Sequence, residues 1–341
     1  MINQLKTIAI GLSLLFAAQA ANAQYQPDKY CKGYLSKTIE QKDDYEGRVV
    51  CTVVKKPNMA GVKRAIVYVY GYNDYFFQSA LGDSANAHGY NFYAVDLRKY
   101  GRSLLPHQDA FFCKKMSEYF ADIDTTIAIA RAEGNEQIVL MGHSTGGMTT
   151  PYYLKDRKEK AHVDALVLNS PFLDWNMSGF MENILVPCVS FAGIFAKRLK
   201  VMGEEDEVRS YAQSLLTQYH GEWDYDTNVK MPKGHPKRAG WIRAINRGQK
   251  HARRGKDITC PILVMSSDTT ITEGDGHWEE PYHRADVVLD VKDIKKYSKR
   301  LGKKVTYVVI PGGKHDLLLS QKDARDKAYQ TTFKFLEMQL K

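Results

Sequence analysis

The sequence predicts an α/β protein: a mostly parallel sheet flanked by helices, with a helical insertion at about residues 172–257. Two observations predict it. Short apolar, β-branched stretches alternate with helical segments, the pattern of strands buried on both faces. Between residues 171 and 257 that alternation stops and an aromatic, heavily charged stretch takes its place. At 341 residues with 44% hydrophobic and 26% charged side chains, the chain has an ordinary globular composition, which excludes disordered, collagen-like and coiled-coil classes.

Residues 1–23 stand apart. Lys6 precedes an apolar stretch over 7–18, and Ala21-Asn22-Ala23 is a small-x-small ending, the pattern of a cleaved secretory signal. The expectation is therefore a chain of residues 24–341 in a bacterial periplasm or outside the cell. After a polar lead-in, residues 49–54 and 65–70 read as strands separated by a turn with Pro57, Asn58 and Gly61. A strand over 93–96, a helix over 116–132 and a strand over 138–141 follow, then a helix over 148–155 and a strand over 165–168. Beyond the insertion come a strand over 262–265, a helix over 291–301, a strand over 305–310 and an amphipathic helix over 324–340.

Five cysteines remain after residue 23. Cys31 with Cys51 is the pairing that a turn-rich N-terminal segment favours in an oxidising compartment. The competing reading makes all five small buried hydrophobes.

The strongest chemical signal follows the strand over 138–141. It reads Gly142-His143-Ser144-Thr145-Gly146-Gly147, a GxSxG motif between a strand and a helix, where small residues allow the tight turn that lifts a serine hydroxyl out of the sheet. The helix N-terminus behind Ser144 supplies positive potential for a developing oxyanion. A serine nucleophile needs a base and the base an orienting acid. His315, on the loop after the strand over 305–310, is the histidine best placed as base; His143 sits inside the turn and is expected to shape it. For the acid, Asp286 leaves room before His315 for one helix, one strand and two short loops. Asp268, directly after the strand over 262–265, and Asp290, whose ordinary role would be a helix N-cap, stand as alternatives. Oxyanion donors are expected from the backbone N–H groups of Thr145 and Tyr72, the latter on the loop after residues 65–70.

Gly71-Tyr72, Asp96-Leu97-Arg98-Lys99-Tyr100-Gly101-Arg102-Ser103, the 142–147 motif, Ala285-Asp286 and His315 resemble the α/β-hydrolase fold. Within it they are similar to the monoacylglycerol lipase, lysophospholipase and serine aminopeptidase-like group, from about Tyr34 to Leu340. The resemblance implies a Ser144–Asp286–His315 triad under a cap, acyl transfer through a covalent intermediate, and no metal or organic cofactor. Tyr70 stands where the group usually has histidine before the glycine. Residues 275–283 carry Asp275, His277, Glu279, Glu280 and His283, but their spacing matches no metal motif, so a solvated loop is expected.

The net charge of +9 is local. Residues 230–256 hold ten Lys/Arg and no acid, so the rest of the chain is nearly neutral. Within that segment Trp241, Ala244, Ile245, Gly248 and Ala252 recur at helical spacing beside a stripe of Arg243, Arg247, Lys250 and Arg254. This reads either as a basic amphipathic helix meeting anionic lipid headgroups or as a solvated cap face with its apolar side inward. Export and the lack of a recognised module exclude nucleic acid. The expected activity is hydrolysis of small-molecule or lipid-like esters. An aminopeptidase-type amidase, with the acidic run 204–207 holding an ammonium, and a catalytically silent lipid-binding protein are the alternatives.

Overall fold

The computed structural model describes residues 24–177, 181–202, 207–273 and 277–340. The expected signal, Glu204 to Asp206 of the acidic run and Asp275 lie outside the described residues. Eleven strands are described in chain order: β1 Gln26–Pro27, β2 Leu35–Asp44, β3 Gly47–Lys55, β4 Arg64–Val69, β5 Asn91–Asp96, β6 Gln137–His143, β7 Ala165–Asn169, β8 Lys200–Met202, β9 Lys237–Arg238, β10 Ile262–Ser267 and β11 Val305–Ile310. Nine of them form one sheet in the order β1-β2-β3-β5-β4-β6-β7-β10-β11. It is antiparallel from β1 to β5 and parallel from β5 to β11.

The central strands β4, β6, β7 and β10 are almost wholly buried, as continuous apolar runs in a parallel sheet require. Their register matters for function. Val69 pairs with Gly142, His143 with Asn169, and Ser267 with Ile310, so the loops after β4, β6, β10 and β11 leave from the same edge.

Helices α1 Ser79–Ala87, α2 Phe120–Ala132, α3 Ser144–Arg157, α7 Val291–Ser298 and α8 Lys322–Gln339 accompany the sheet. The polar lead-in is in fact β2, which buries only Ile39 and is held by backbone pairing to β3, so its side chains carry no apolar pattern. Helix α1, rich in Ser, Ala and Gly, is likewise unmarked by periodicity. The helix expected over 116–132 opens with a 3₁₀ turn, Met116–Tyr119.

Between β7 and β10 lie α4 Val186–Phe195, α5 Ser210–Leu215 and α6 Ala239–Ala252, together with a two-stranded ribbon of β8 and β9. The segment is thus not purely helical. The basic stretch 230–256 is not one helix either, since α6 begins at Ala239 and Lys230 is buried. The apolar face of α6 packs inward: Trp241, Ile242, Ala244, Ile245 and Ala252 are buried, and a Cβ on Gly248 would lie 2.8 Å from the Met148 sulfur on α3. Arg247, Lys250 and Arg254 face solvent, while Arg253 pairs with Asp174 at 2.6 Å. Within this segment the most exposed large apolar side chains are Phe191 and Phe195 of α4, 63% and 78% exposed.

All five cysteines are free, which corrects the Cys31–Cys51 pairing. The Cys31 thiol faces the Phe76 carbonyl, whereas Cys51 on β3 accepts from the Gln41 side chain. Cys188 is exposed, so the buried-hydrophobe reading does not extend to it. Among the described residues no helix is long and apolar enough to cross a membrane.

Candidate active site

Ser144 sits where β6 turns into α3, with φ of +53°. A non-glycine residue in the left-handed region is strained, and here the strain turns the side chain out of the sheet edge. The turn is possible because Gly146 has no Cβ: one would lie 2.1 Å from the Val69 carbonyl oxygen of β4.

His315 comes from the loop after β11. Its Nε2 accepts from the Ser144 hydroxyl at 3.0 Å and its Nδ1–H donates to Asp286 Oδ2 at 3.0 Å. Asp286 is fully buried, and its Oδ1 accepts from the Val288 and Leu289 N–H groups, both at 2.8 Å. Its backbone bonds back to Thr269 and Ile271 on the chain leaving β10. The carboxylate is therefore held at Oδ1 by two backbone donors, which leaves Oδ2 for His315 Nδ1–H and so fixes the imidazole tautomer.

The other candidates take structural work. Asp268 accepts from Gly312 N–H at 2.9 Å and tethers the loop that carries His315. Asp290 caps α7 by accepting from Lys292 N–H at 2.8 Å. No group of three or more His, Cys, Asp or Glu fit for a metal occurs among the described residues.

Gly71 brings the loop after β4 against the nucleophile, since a Cβ there would lie 2.8 Å from Ser144 Cβ. Tyr72 and Thr145 both line the cavity above Ser144. The Tyr72 N–H donates to no backbone group among the described residues.

That cavity measures about 280 Å³. One wall is aromatic, built from Tyr72, Phe172, Trp175 and Trp241. The other is polar: Lys230 donates to Asp74 at 2.9 Å, and Tyr211 lies edge-on to His315 with ring centroids 5.5 Å apart. Burial pushes the Asp74 carboxyl up to about 6 against the opposing pull of Lys230.

A second buried pair lies behind the base and was not legible as a site in the sequence. Asp316 accepts from Gln78 Nε2 and Asn169 Nδ2, each at 2.7 Å, and stands 3.9 Å from His143 Nε2. Burial works against its charge, but His143 and these donors hold the carboxyl below its usual range. Burial likewise lowers the His143 pKa, and its Nδ1 bonds the Asn169 carbonyl at 3.1 Å, so His143 shapes the turn as expected. The His315-Asp316 dipeptide was the available signal.

A strained serine at a helix N-terminus and a histidine relayed to a buried carboxylate can perform nucleophilic acyl transfer. Residues 60–322 match the model of the family described as Serine aminopeptidase, S33. The chain belongs to that family. This member has the α/β-hydrolase fold and is a serine hydrolase. No curated protein matches its sequence. Among solved structures it is similar to a soluble variant of monoglyceride lipase from Saccharomyces cerevisiae in complex with a substrate analog, at 15% identity and a TM-score of 0.62, covering 93% of this chain and 94% of that one. A thermostable carboxyl esterase from Bacillus coagulans in complex with glycerol matches at 14% identity and 0.60, covering 89% and 98%. A monoacylglycerol lipase from Paleococcus ferrophilus matches at 17% and 0.56, covering 80% and 94%. At such identities the likeness is one of fold.

Proposed function

We propose that this S33-family protein hydrolyses carboxylic esters of lipid-like substrates, of monoacylglycerol or lysophospholipid type, through an acyl-enzyme on Ser144. The observation that carries the proposal is the hydrogen-bonded relay from Ser144 through His315 to Asp286, opening into a cavity with one aromatic and one polar wall. Solved structures of similar fold include monoacylglycerol lipases and a carboxyl esterase, which agrees with this substrate class.

His315 takes the Ser144 proton as Oγ attacks the ester carbonyl carbon, and the N–H groups of Tyr72 and Thr145 hold the oxyanion. The tetrahedral species expels the alcohol, which leaves with the proton from His315. Water, deprotonated by His315, then attacks the acyl carbon and releases the acid and free serine. Asp286 stabilises the imidazolium throughout. An ammonium-binding amidase is less well supported, because the acids lining the cavity are already paired: Asp74 with Lys230, and Glu273 with Arg209 at 3.6 Å.

Residues 24–341 would form one catalytic domain with 172–257 as its cap, exported after removal of 1–23. N-terminal sequencing of the exported protein should then begin at Gln24. Lipid contact would use the exposed Phe191 and Phe195 of α4 together with the solvent-facing Arg247, Lys250 and Arg254 of the same segment.

The test of the activity is fluorophosphonate labelling beside an ester chain-length panel, both on the protein and on Ser144→Ala. Labelling and ester turnover should both vanish in the mutant. Absence of labelling in the unaltered protein favours the catalytically silent alternative, and turnover of aminoacyl amides without esters favours the amidase.

A further inference from the structure

Three consecutive residues of the loop that carries the Tyr72 N–H are each held by the segment between β7 and β10. The Tyr72 ring packs on Trp241 at 4.5 Å between centroids, and its hydroxyl reaches the His235 carbonyl at 3.4 Å. Asn73 Nδ2 donates to the Met231 carbonyl at 2.8 Å while its Oδ1 accepts from the Met231 N–H at 3.0 Å. Asp74 pairs with Lys230 at 2.9 Å, both side chains buried.

Asn73 has φ of +53°. Asparagine tolerates that conformation better than other side-chain-bearing residues, and here the same side chain spans both backbone groups of one cap residue, as a neighbouring strand would. The peptide that presents the Tyr72 N–H is thus fixed on one side by Gly71 against Ser144 and on the other by this two-bond clamp. Backbone donors catalyse only when aimed in advance at the developing charge, and a shift of about 1 Å is enough to cost about a hundredfold in rate.

We propose that Asn73 is a positioning residue, which through its paired hydrogen bonds to Met231 makes the oxyanion donor of Tyr72 depend on the seating of the cap. The inference rests on the serine-hydrolase reading of the site. A cap lifted from residues 72–74 would leave Ser144, His315 and Asp286 in register but the oxyanion hole unmade, so that ester cleavage follows cap closure.

The test compares the protein with Asn73→Gly, which keeps left-handed backbone freedom and removes the clamp. Fluorophosphonate titration counts the reactive Ser144 sites, so that kcat is expressed per site, and thermal unfolding reports folding. The expected result is a kcat per site lower by about tenfold to a hundredfold, with KM within about threefold and the titration still reaching completion, only more slowly. Wild-type kcat per site, or a rise in KM with kcat unchanged, overturns the proposal. If Asn73→Gly does not fold, Asn73→Asp is read in the same way, because it keeps the acceptor for Met231 N–H and sets an oxygen against the Met231 carbonyl. Failure of the underlying reading is distinct: the unaltered protein would then neither label nor turn over esters.

Discussion

Asp316, the residue after His315, stands 3.9 Å from the imidazole of His143, the residue before Ser144. The loops after β6 and β11 are therefore joined twice, once through Ser144 and His315 and once through this buried pair behind them. Asn169 at the end of β7 and Gln78 on the loop after β4 donate to the same carboxylate, so one acid gathers four strand ends.

Asp316→Asn should show what that gathering is worth. An amide in this place sets one N–H₂ group against another donor, leaving a buried donor unsatisfied at a cost of about 1–3 kcal/mol. Urea unfolding should register a loss of that size. An unchanged midpoint would mean that the network contributes nothing net.

The acid assignment separates by substitution. Asp286→Asn should lower kcat about 10⁴-fold by removing the acceptor for His315 Nδ1–H, and His315→Ala about 10⁶-fold. Asp268→Asn touches the bonds to Gly312 N–H and the Ser267 hydroxyl, not the His315 imidazole, and should cost less than about tenfold. Esterase assays on the three variants decide it, and a large loss confined to Asp268→Asn would reverse the assignment.

Lys314, beside the base, is buried with its ammonium donating to the Ser214 carbonyl. Burial lowers its pKa to about 8, partly offset by Glu222. Between about pH 8 and the ordinary lysine range the folded protein then binds fewer protons than the unfolded chain, so stability rises with pH across that window. Lys314→Met has no ammonium to titrate and lacks this pH dependence. The stability of the unaltered protein relative to the variant should climb from pH 7.5 to pH 10 by on the order of a few kcal/mol, since each pKa unit is worth about 1.4 kcal/mol. A difference that does not change with pH contradicts it.

Gly71→Ala should damage activity more than folding. The added methyl would meet Ser144 Cβ at 2.8 Å and push the oxyanion loop off the nucleophile, and a displacement of about 1 Å costs about a hundredfold in kcat. Circular dichroism with steady-state kinetics checks both halves.

The proposed lipid contact carries its own outcome. Phe191→Ser with Phe195→Ser should reduce co-sedimentation with anionic liposomes while leaving turnover of a short soluble ester unchanged, since neither side chain lines the cavity. Equal binding to zwitterionic liposomes would remove the contribution of Arg247, Lys250 and Arg254.

Much of this was present in the linear order of residues. Buried parallel strands must be continuous apolar runs, so β4, β6, β7 and β10 announce themselves; β11 is an apolar run too, although at the sheet edge only Ile310 of it is buried, and the glycines around Ser144 mark a turn that bulkier residues could not make. Ser144 and His315 follow because each sits just past such a strand. The edge strand β2 stayed hidden because backbone pairing holds it, which leaves no apolar signature.

Other features were decided only by the tertiary structure, because they depend on which atoms meet. Asp286, Asp268 and Asp290 are chemically alike. What separates them is that the chain leaving β10 pairs with residue 286 and turns its carboxylate toward His315, while Gly312 and Lys292 occupy the other two. The apolar stripe of α6 gave no hint whether it faced lipid or protein until Gly248 was found against Met148, which leaves α4 as the exposed apolar face. Residue types and spacing marked a serine, a histidine and three candidate acids; only the close contacts of the fold show that Asp286 is the acid bonded to His315, that Phe191 and Phe195 lie exposed, and that residues 72–74 are held by the segment between β7 and β10.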